Sequence, residues 1–185
     1  MNRALEFVCA IAGLALLWPL AIVIALAIRL DTRGPATISQ VRVGRGERLF
    51  RCHKFRSMHV GTRERPTHES AASDVTRVGG FLRKSKLDEL PQLVNVVAGE
   101  MSFVGPRPCL PSQIALIEAR RAHGVYDVRP GITGLAQVNG IDMSDPQRLA
   151  KVDAIYVRQR GLWTDLRIAL ATMPFGRRFA PSPGV

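Results

Sequence analysis

Ser85-Lys86-Leu87-Asp88-Glu89-Leu90-Pro91-Gln92-Leu93 puts two adjacent carboxylates at the start of a helix, in a chain of net charge +11. Leu87, Leu90, Val94 and Val97 recur at helical spacing, which predicts that this face packs inward. Pro91 is tolerated only in a first turn, where its missing N–H would have had no partner. Asp88 and Glu89 therefore fall at or just before the first helical residues, where free backbone N–H groups favour negative charge. Taken alone, the stretch reads as an ordinary acidic helix start. Its neighbours along the chain change that reading.

The 185 residues suit one domain with a sizeable core. Lys and Arg outnumber Asp and Glu by 26 to 15, a balance that favours an anionic partner such as nucleic acid, an acidic membrane surface or a phosphorylated substrate. Aromatic residues make up only 6% and do not interleave the basic stretches, which argues against a single-strand stacking platform. Cys9, Cys52 and Cys109 are odd in number and far apart, so neither a disulfide frame nor CxxC chemistry is expected. His53, His59, His68 and His123 form no HExxH-type pair, and all seven residues read as structural.

From Phe7 to Ile28 the sequence is almost continuously apolar, with Arg3 before it and Arg29 and Arg33 after it. As one helix it would reach roughly 33 Å, enough to cross a hydrocarbon core of about 30 Å. A cleaved signal peptide would use Ala25-Leu26-Ala27, but a basic domain with unpaired cysteines is a poor export cargo. Broken at Pro19, the segment becomes halves of about 18 and 14 Å that dip into the membrane and return to the same face. Length and flanking charge leave the spanning and dipping forms both open.

Downstream, Thr37 to Arg51 with a turn at Gly44-Arg45-Gly46 predicts a short β-hairpin. Lys54 and Arg56 come next, two residues apart, so an extended backbone points both cations to one face as a phosphate clamp. Residues 61–73 read as a surface loop. Thr76 to Lys86 is basic, flexible at Gly79-Gly80, and carries Arg83 five residues before Asp88. Pro106-Arg107-Pro108 and Arg129-Pro130-Gly131 each pin an arginine in a stiff turn, which preorganises a guanidinium. Two such arginines beside a carboxylate pair point to an anionic-ligand site. Gln113–His123 predicts a helix stopped by Gly124, and Asp145-Pro146 predicts the cap and first residue of another. Trp163, Leu166, Leu170 and Met173 form an apolar stripe that fits either a membrane interface or the domain's own core.

These runs together resemble the small monotopic bacterial sugar transferases, the polyprenyl-phosphate phosphoglycosyl transferases. The resemblance is carried by Gly34-Pro35, Gln40–Gly44, Lys54–Met58, Leu87–Leu93, Gly99–Pro108, Arg129–Gly140 and Leu162–Leu166. It covers about residues 3 to 172, in the family's order. It implies transfer of a sugar-1-phosphate from a UDP-sugar to polyprenyl (undecaprenyl) phosphate, releasing UMP, by a ping-pong route. It implies that Asp88 is the nucleophile, Glu89 the assisting acid–base residue, and Mg2+ the cofactor held near Asp88. Arg83 and Arg107 match phosphate-binding positions, and Lys54, Arg56 and Arg129 are assigned the same role by their chemistry.

The expected fold is α+β and mainly helical. Residues 1–30 form a re-entrant membrane helix broken at Pro19, 31–175 the catalytic domain with its hairpin and interfacial helices, and 176–185 a basic mobile tail. The implied place is the cytoplasmic face of the bacterial inner membrane, with membrane lipids as partners, no nucleic acid, and an open oligomeric state. The chain is expected to be the minimal catalytic unit, without the extra N-terminal membrane helices of larger members. The family's break often carries serine before the proline, whereas Trp18 stands here. A different class of function, a non-catalytic basic membrane-anchored protein binding nucleic acid or anionic lipid, accounts for the charge but not for carboxylates ringed by pinned arginines.

Overall fold

The computed structural model describes residues 3–62 and 72–172. It has mainly helical character with two small sheets, so the α+β expectation holds. Most of the loop expected over 61–73, together with Met173 and the tail, lies outside the described residues.

Helix α1, Arg3–Asp31, is long and apolar enough to cross a membrane by length and composition. Its helical run continues through Pro19 rather than dividing into two separate helices. A proline inside a helix removes the hydrogen bond of its missing N–H and bends the chain without necessarily ending it. Both ends of α1 are tied to the same domain. Arg3 donates to Val96 O (2.6 Å) and Val97 O (2.9 Å), and buried Glu6 accepts from Ser102 Oγ. At the other end, Val78 N donates to Asp31 Oδ2 at 3.1 Å. Between these ties Leu16 (77% exposed) and Trp18 (60%) face outward.

The hairpin forms as the sequence predicts: β1, Thr37–Val43, pairs antiparallel with β2, Leu49–Phe55, from Thr37 opposite Phe55 to Val43 opposite Leu49. Helix α2, Arg77–Ser85, is capped by Thr76, whose Oγ1 accepts from Gly79 N at 2.9 Å. Gly79 is there for close approach rather than flexibility. A Cβ on it would lie 2.0 Å from Ser57 O.

Helix α3, Gln92–Ala98, comes after a 3-10 turn at Leu87–Glu89. Its buried face differs from the one its leucine and valine spacing predicts. Val94 is exposed, while Gln92, Leu93, Asn95 and Val96 are buried. Asn95 accounts for the inversion: its Nδ2 donates to Arg51 O (2.7 Å) and Glu100 Oε2 (2.6 Å), and its Oδ1 accepts from His53 N (3.0 Å). A fully satisfied amide thus fastens α3 to β2, and a buried polar group is tolerated when so bonded. Leu87, Leu90 and Val97 are only partly buried, in clusters that also contain α1 residues.

Beyond α3 lies a feature the sequence did not disclose. Strand β3, Ser102–Val104, pairs in parallel with β4, Gly131–Thr133. Gly105 and Gly131 permit it, since a Cβ on Gly131 would stand 2.1 Å from Gly105 N. Helices α4 (Ile114–Ala122), α5 (Leu135–Val138), α6 (Pro146–Gln159) and α7 (Leu162–Thr172) complete the domain. Asp145 caps α6 through Arg148 N, with Pro146 in the first turn. Helix α7 buries Asp165 and Ile168 but leaves Leu162, Trp163, Leu166 and Leu170 exposed. Its apolar stripe is therefore not part of the domain's own core.

Candidate active site

The carboxylate pair sits at a strained turn. Lys86 ends α2 in the left-handed region (φ 61°, ψ 11°), unusual for a side chain with a Cβ, and the 3-10 turn bearing Asp88 and Glu89 starts from it. Both carboxylates are buried. Residues this close in a helical turn point in different directions, and their partners differ accordingly. Glu89 Oε1 accepts from Arg107 Nη2 at 2.5 Å. Asp88 has no hydrogen bond or ion pair to any described residue.

The cations that act most strongly on the pair are Lys54, Arg107 and Lys86. Burial, and after it the Glu89 charge, pushes the Asp88 carboxyl above its ordinary range. Burial also works to raise Glu89, but Arg107 and Lys54 outweigh it and hold that carboxyl below its usual value. Lys54 is driven down to about 8, by burial first and then by the Arg107 charge, with Glu89 opposing. Two carboxylates one residue apart are thus pushed in opposite directions, a pattern that separates acid–base roles.

Arg107 owes its position to a tightly held loop. Four consecutive carbonyls receive donors from three other segments. Gly131 N reaches Pro106 O (3.0 Å), Arg120 Nη1 reaches Arg107 O (2.9 Å), Arg42 Nη1 reaches Pro108 O (3.2 Å) and Val43 N reaches Cys109 O (3.0 Å). Arg120 is itself fixed by Asp153, whose Oδ2 accepts from its Nε (3.0 Å) and Nη2 (2.7 Å) in the interior. A guanidinium held at both its backbone and its side chain is preorganised for an anion.

Glu89, Arg107 and Lys86 line a cleft of about 780 Å³, whose other walls include Phe103, Gln137, Ile141 and Met143. Apolar walls with a few convergent charges, at this volume, suit a small organic phosphate. Asp88 stands beside this wall rather than among its lining residues.

The other expected ligands are held by other partners. Arg56 does not reach the carboxylates. Its guanidinium donates to Arg33 O (2.7 Å) and Thr32 O (2.8 Å), closing the C-terminal end of α1. Strand β2 ends at Phe55, so the alternation that would align Arg56 with Lys54 ends there too. Arg83 Nε donates to Ser57 Oγ at 3.0 Å, and Arg129 Nε donates to Gly99 O at 2.9 Å, at the far end of α3. Of the five cations expected at the phosphates, the structure brings Lys54 and Arg107 together with the pair. Lys86 and the Arg120–Asp153 support were not foreseen. A basic residue just before Leu87 was the one available signal for Lys86, while the buried ion pair gave none.

A magnesium ion takes one or two carboxylates and fills its octahedron with water and substrate phosphate oxygens. Among the described residues no group of three or more His, Cys, Asp or Glu side chains gathers into a protein-only cage. The unbonded Asp88 oxygens and the second oxygen of Glu89 fit the open kind of site.

A basic domain with a long apolar N-terminal helix and an unequal carboxylate pair beside a preorganised arginine defines the class: a candidate site for chemistry on phosphates. The chain belongs to the bacterial sugar transferase family, which it matches over residues 1–176. It is 41% identical over 183 residues to the UDP-glucose:undecaprenyl-phosphate glucose-1-phosphate transferase of Caulobacter vibrioides, covering 94% of this chain and 68% of that one. The Xanthomonas campestris pv. campestris protein of the same description is 40% identical over 175 residues, 89% of this chain and 36% of its own. A UDP-N-acetylgalactosamine-undecaprenyl-phosphate N-acetylgalactosaminephosphotransferase of Aeromonas hydrophila is 36% identical over 180 residues, 94% of this chain and 43% of the relative. The chain thus spans little more than a third of the Xanthomonas relative's length.

Proposed function

We propose that the protein transfers a sugar-1-phosphate from a UDP-sugar to a membrane polyprenyl phosphate. An Asp88 oxygen attacks the sugar-bearing phosphorus, the bond from that phosphorus to the UMP oxygen breaks, and UMP leaves. A phosphate oxygen of the polyprenyl phosphate then attacks the same phosphorus and frees the Asp88 carboxylate. The feature that supports this most is the unbonded carboxylate of Asp88 beside Arg107 and Lys54. A nucleophilic carboxylate must be free to approach phosphorus, whereas one oxygen of Glu89 is already held by Arg107.

Arg107 and Lys54 place positive charge where the transferring phosphoryl oxygens gather negative charge. Glu89 orients Arg107 and, through its free oxygen, assists the acceptor. Magnesium, held by Asp88 and Glu89 with the donor diphosphate, would supply further charge neutralisation. The attachment of both ends of α1 to one domain, through Val96 and Val97 at one end and Val78 at the other, supports a helix that enters and leaves by the same face. On that reading the domain lies on the cytoplasmic face of the bacterial inner membrane, level with lipid phosphates. The two buried carboxylates have no use in a basic protein that merely binds polyanions.

The test is a single turnover without acceptor. Detergent-purified protein mixed with UDP-sugars and magnesium should release one UMP per enzyme with its true donor, and Asp88→Asn should release none. Absence of release with every UDP-sugar, or an unchanged burst in Asp88→Asn, would refute the reading.

A further inference from the structure

At the end of α3 away from the carboxylate pair lie two adjoining clefts, of about 860 and 410 Å³. Both are lined by Arg45, Arg129, Arg160 and Asp127, and the larger also by Arg48 and by Glu100, whose Oε2 accepts from Asn95 Nδ2. The side chains of Arg45, Arg48 and Arg160 are exposed and make no hydrogen bond or ion pair with any described residue. Two segments distant in sequence thus bring free guanidinium groups to one concavity, beside Arg129, whose Nε donates to Gly99 O. Like charges repel, and side chains that turn to the same hollow without a carboxylate partner are stabilised when an anion occupies it.

The surroundings point to the source of that anion. The smaller cleft reaches Glu6 of α1 and Gly161, immediately before α7. Next to these two residues in sequence, Leu5 (45% exposed) of α1 and Leu162 (58%) and Trp163 (74%) of α7 expose apolar surface. Basic groups bordered by exposed apolar side chains match the boundary between headgroups and acyl chains. Asp127, set among the arginines, disfavours a polyanion but can accept from a headgroup hydroxyl.

We infer that this cleft holds the phosphodiester headgroup of an anionic phospholipid such as phosphatidylglycerol. The bound lipid lies beside Trp163 and fixes the domain's orientation on the bilayer. The inference rests on the membrane placement proposed above, and it concerns a site separate from the donor cleft.

The chain has two tryptophans, Trp18 and Trp163, so each is read alone in a Trp18→Phe or Trp163→Phe variant. Each is placed in nanodiscs of phosphatidylcholine with a minor share of phosphatidylglycerol, with bromines on the upper acyl chain of one lipid or the other. Trp163 should be quenched more per mole by the brominated phosphatidylglycerol, by about fivefold for each arginine engaged. Trp18 should show no preference. Replacing Arg45, Arg48 and Arg160 together with Gln should bring Trp163 to parity while UMP release in detergent persists, which shows that the variant is folded. Equal quenching of wild-type Trp163 by the two lipids overturns the lipid site and leaves the membrane placement standing. Quenching of Trp18 without quenching of Trp163 does the same. If neither tryptophan is quenched, the membrane placement fails as well. A preference unchanged in the triple variant assigns it to other residues and overturns the cleft.

Discussion

Arg107 forms a 2.5 Å ion pair with Glu89, while the adjacent Asp88 carboxylate has no hydrogen-bonding partner among the described residues. This asymmetry predicts unequal penalties. Arg107→Lys keeps a charge but loses the planar fork, and it should slow UMP release about 10²-fold. Asp88→Asn should eliminate release. Rapid-quench measurement of the burst compares them, and equal rates for Arg107→Lys and wild type would contradict the assignment.

The acid limb of that burst tracks Asp88. A protonated carboxyl is a poor nucleophile, so activity should fall as pH drops through its raised pKa, above the ordinary aspartate range. Glu89→Gln removes the neighbouring negative charge and should move the limb to lower pH. For stability the sign comes from the same shift. A carboxyl raised in the folded state favours folding below its unfolded pKa and loses that contribution as pH rises through the folded value. At neutral pH Asp88→Asn should therefore resist denaturant better than wild type. An acid limb at the ordinary value, or one unmoved by Glu89→Gln, would count against this coupling.

On the alkaline side Lys54, lowered to about 8, should lose its proton and its hold on the phosphates. UMP release should decline as pH rises through that value. In Lys54→Arg the charge persists, so the decline should vanish, whereas Lys54→Met should be slow at every pH. A pH profile identical in wild type and Lys54→Arg would assign the limb to another group.

Arg120 and Asp153, both fully buried, support Arg107 from behind. Arg120→Ala strands a buried carboxylate and should cost about 3–5 kcal/mol in chemical denaturation. The pair replacement Arg120→Met with Asp153→Leu removes both charges and should restore much of that stability. It leaves Arg107 O without its donor, so the burst should stay slow. Recovery of full activity along with stability would show that the pair is structural only.

The parts legible in the sequence were those that local chemistry fixes. Asp145-Pro146 capped α6, Gly124 came directly after α4 and its cap, and Gly44–Gly46 turned the hairpin, because each signal acts within a few residues. Asp88, Glu89, Lys54 and Arg107, all singled out in the sequence, come together in the fold. Arg56 looks the same in sequence whether it meets a phosphate or the carbonyls of Thr32 and Arg33, and only the folded chain decides. Asn95 could not be told from a surface residue, because burial of its amide depends on the edge of β2, more than 40 residues earlier. The β3–β4 ladder escaped notice because three-residue strands carry almost no periodicity.

The most direct measurement is intact and peptide mass spectrometry of enzyme mixed with its true UDP-sugar and quenched before acceptor is added. The protein should gain the mass of one phosphosugar, localised to residue 88, and should shed it when polyprenyl phosphate is supplied. An enzyme that turns over the donor while residue 88 stays unmodified at every quench time would contradict the account.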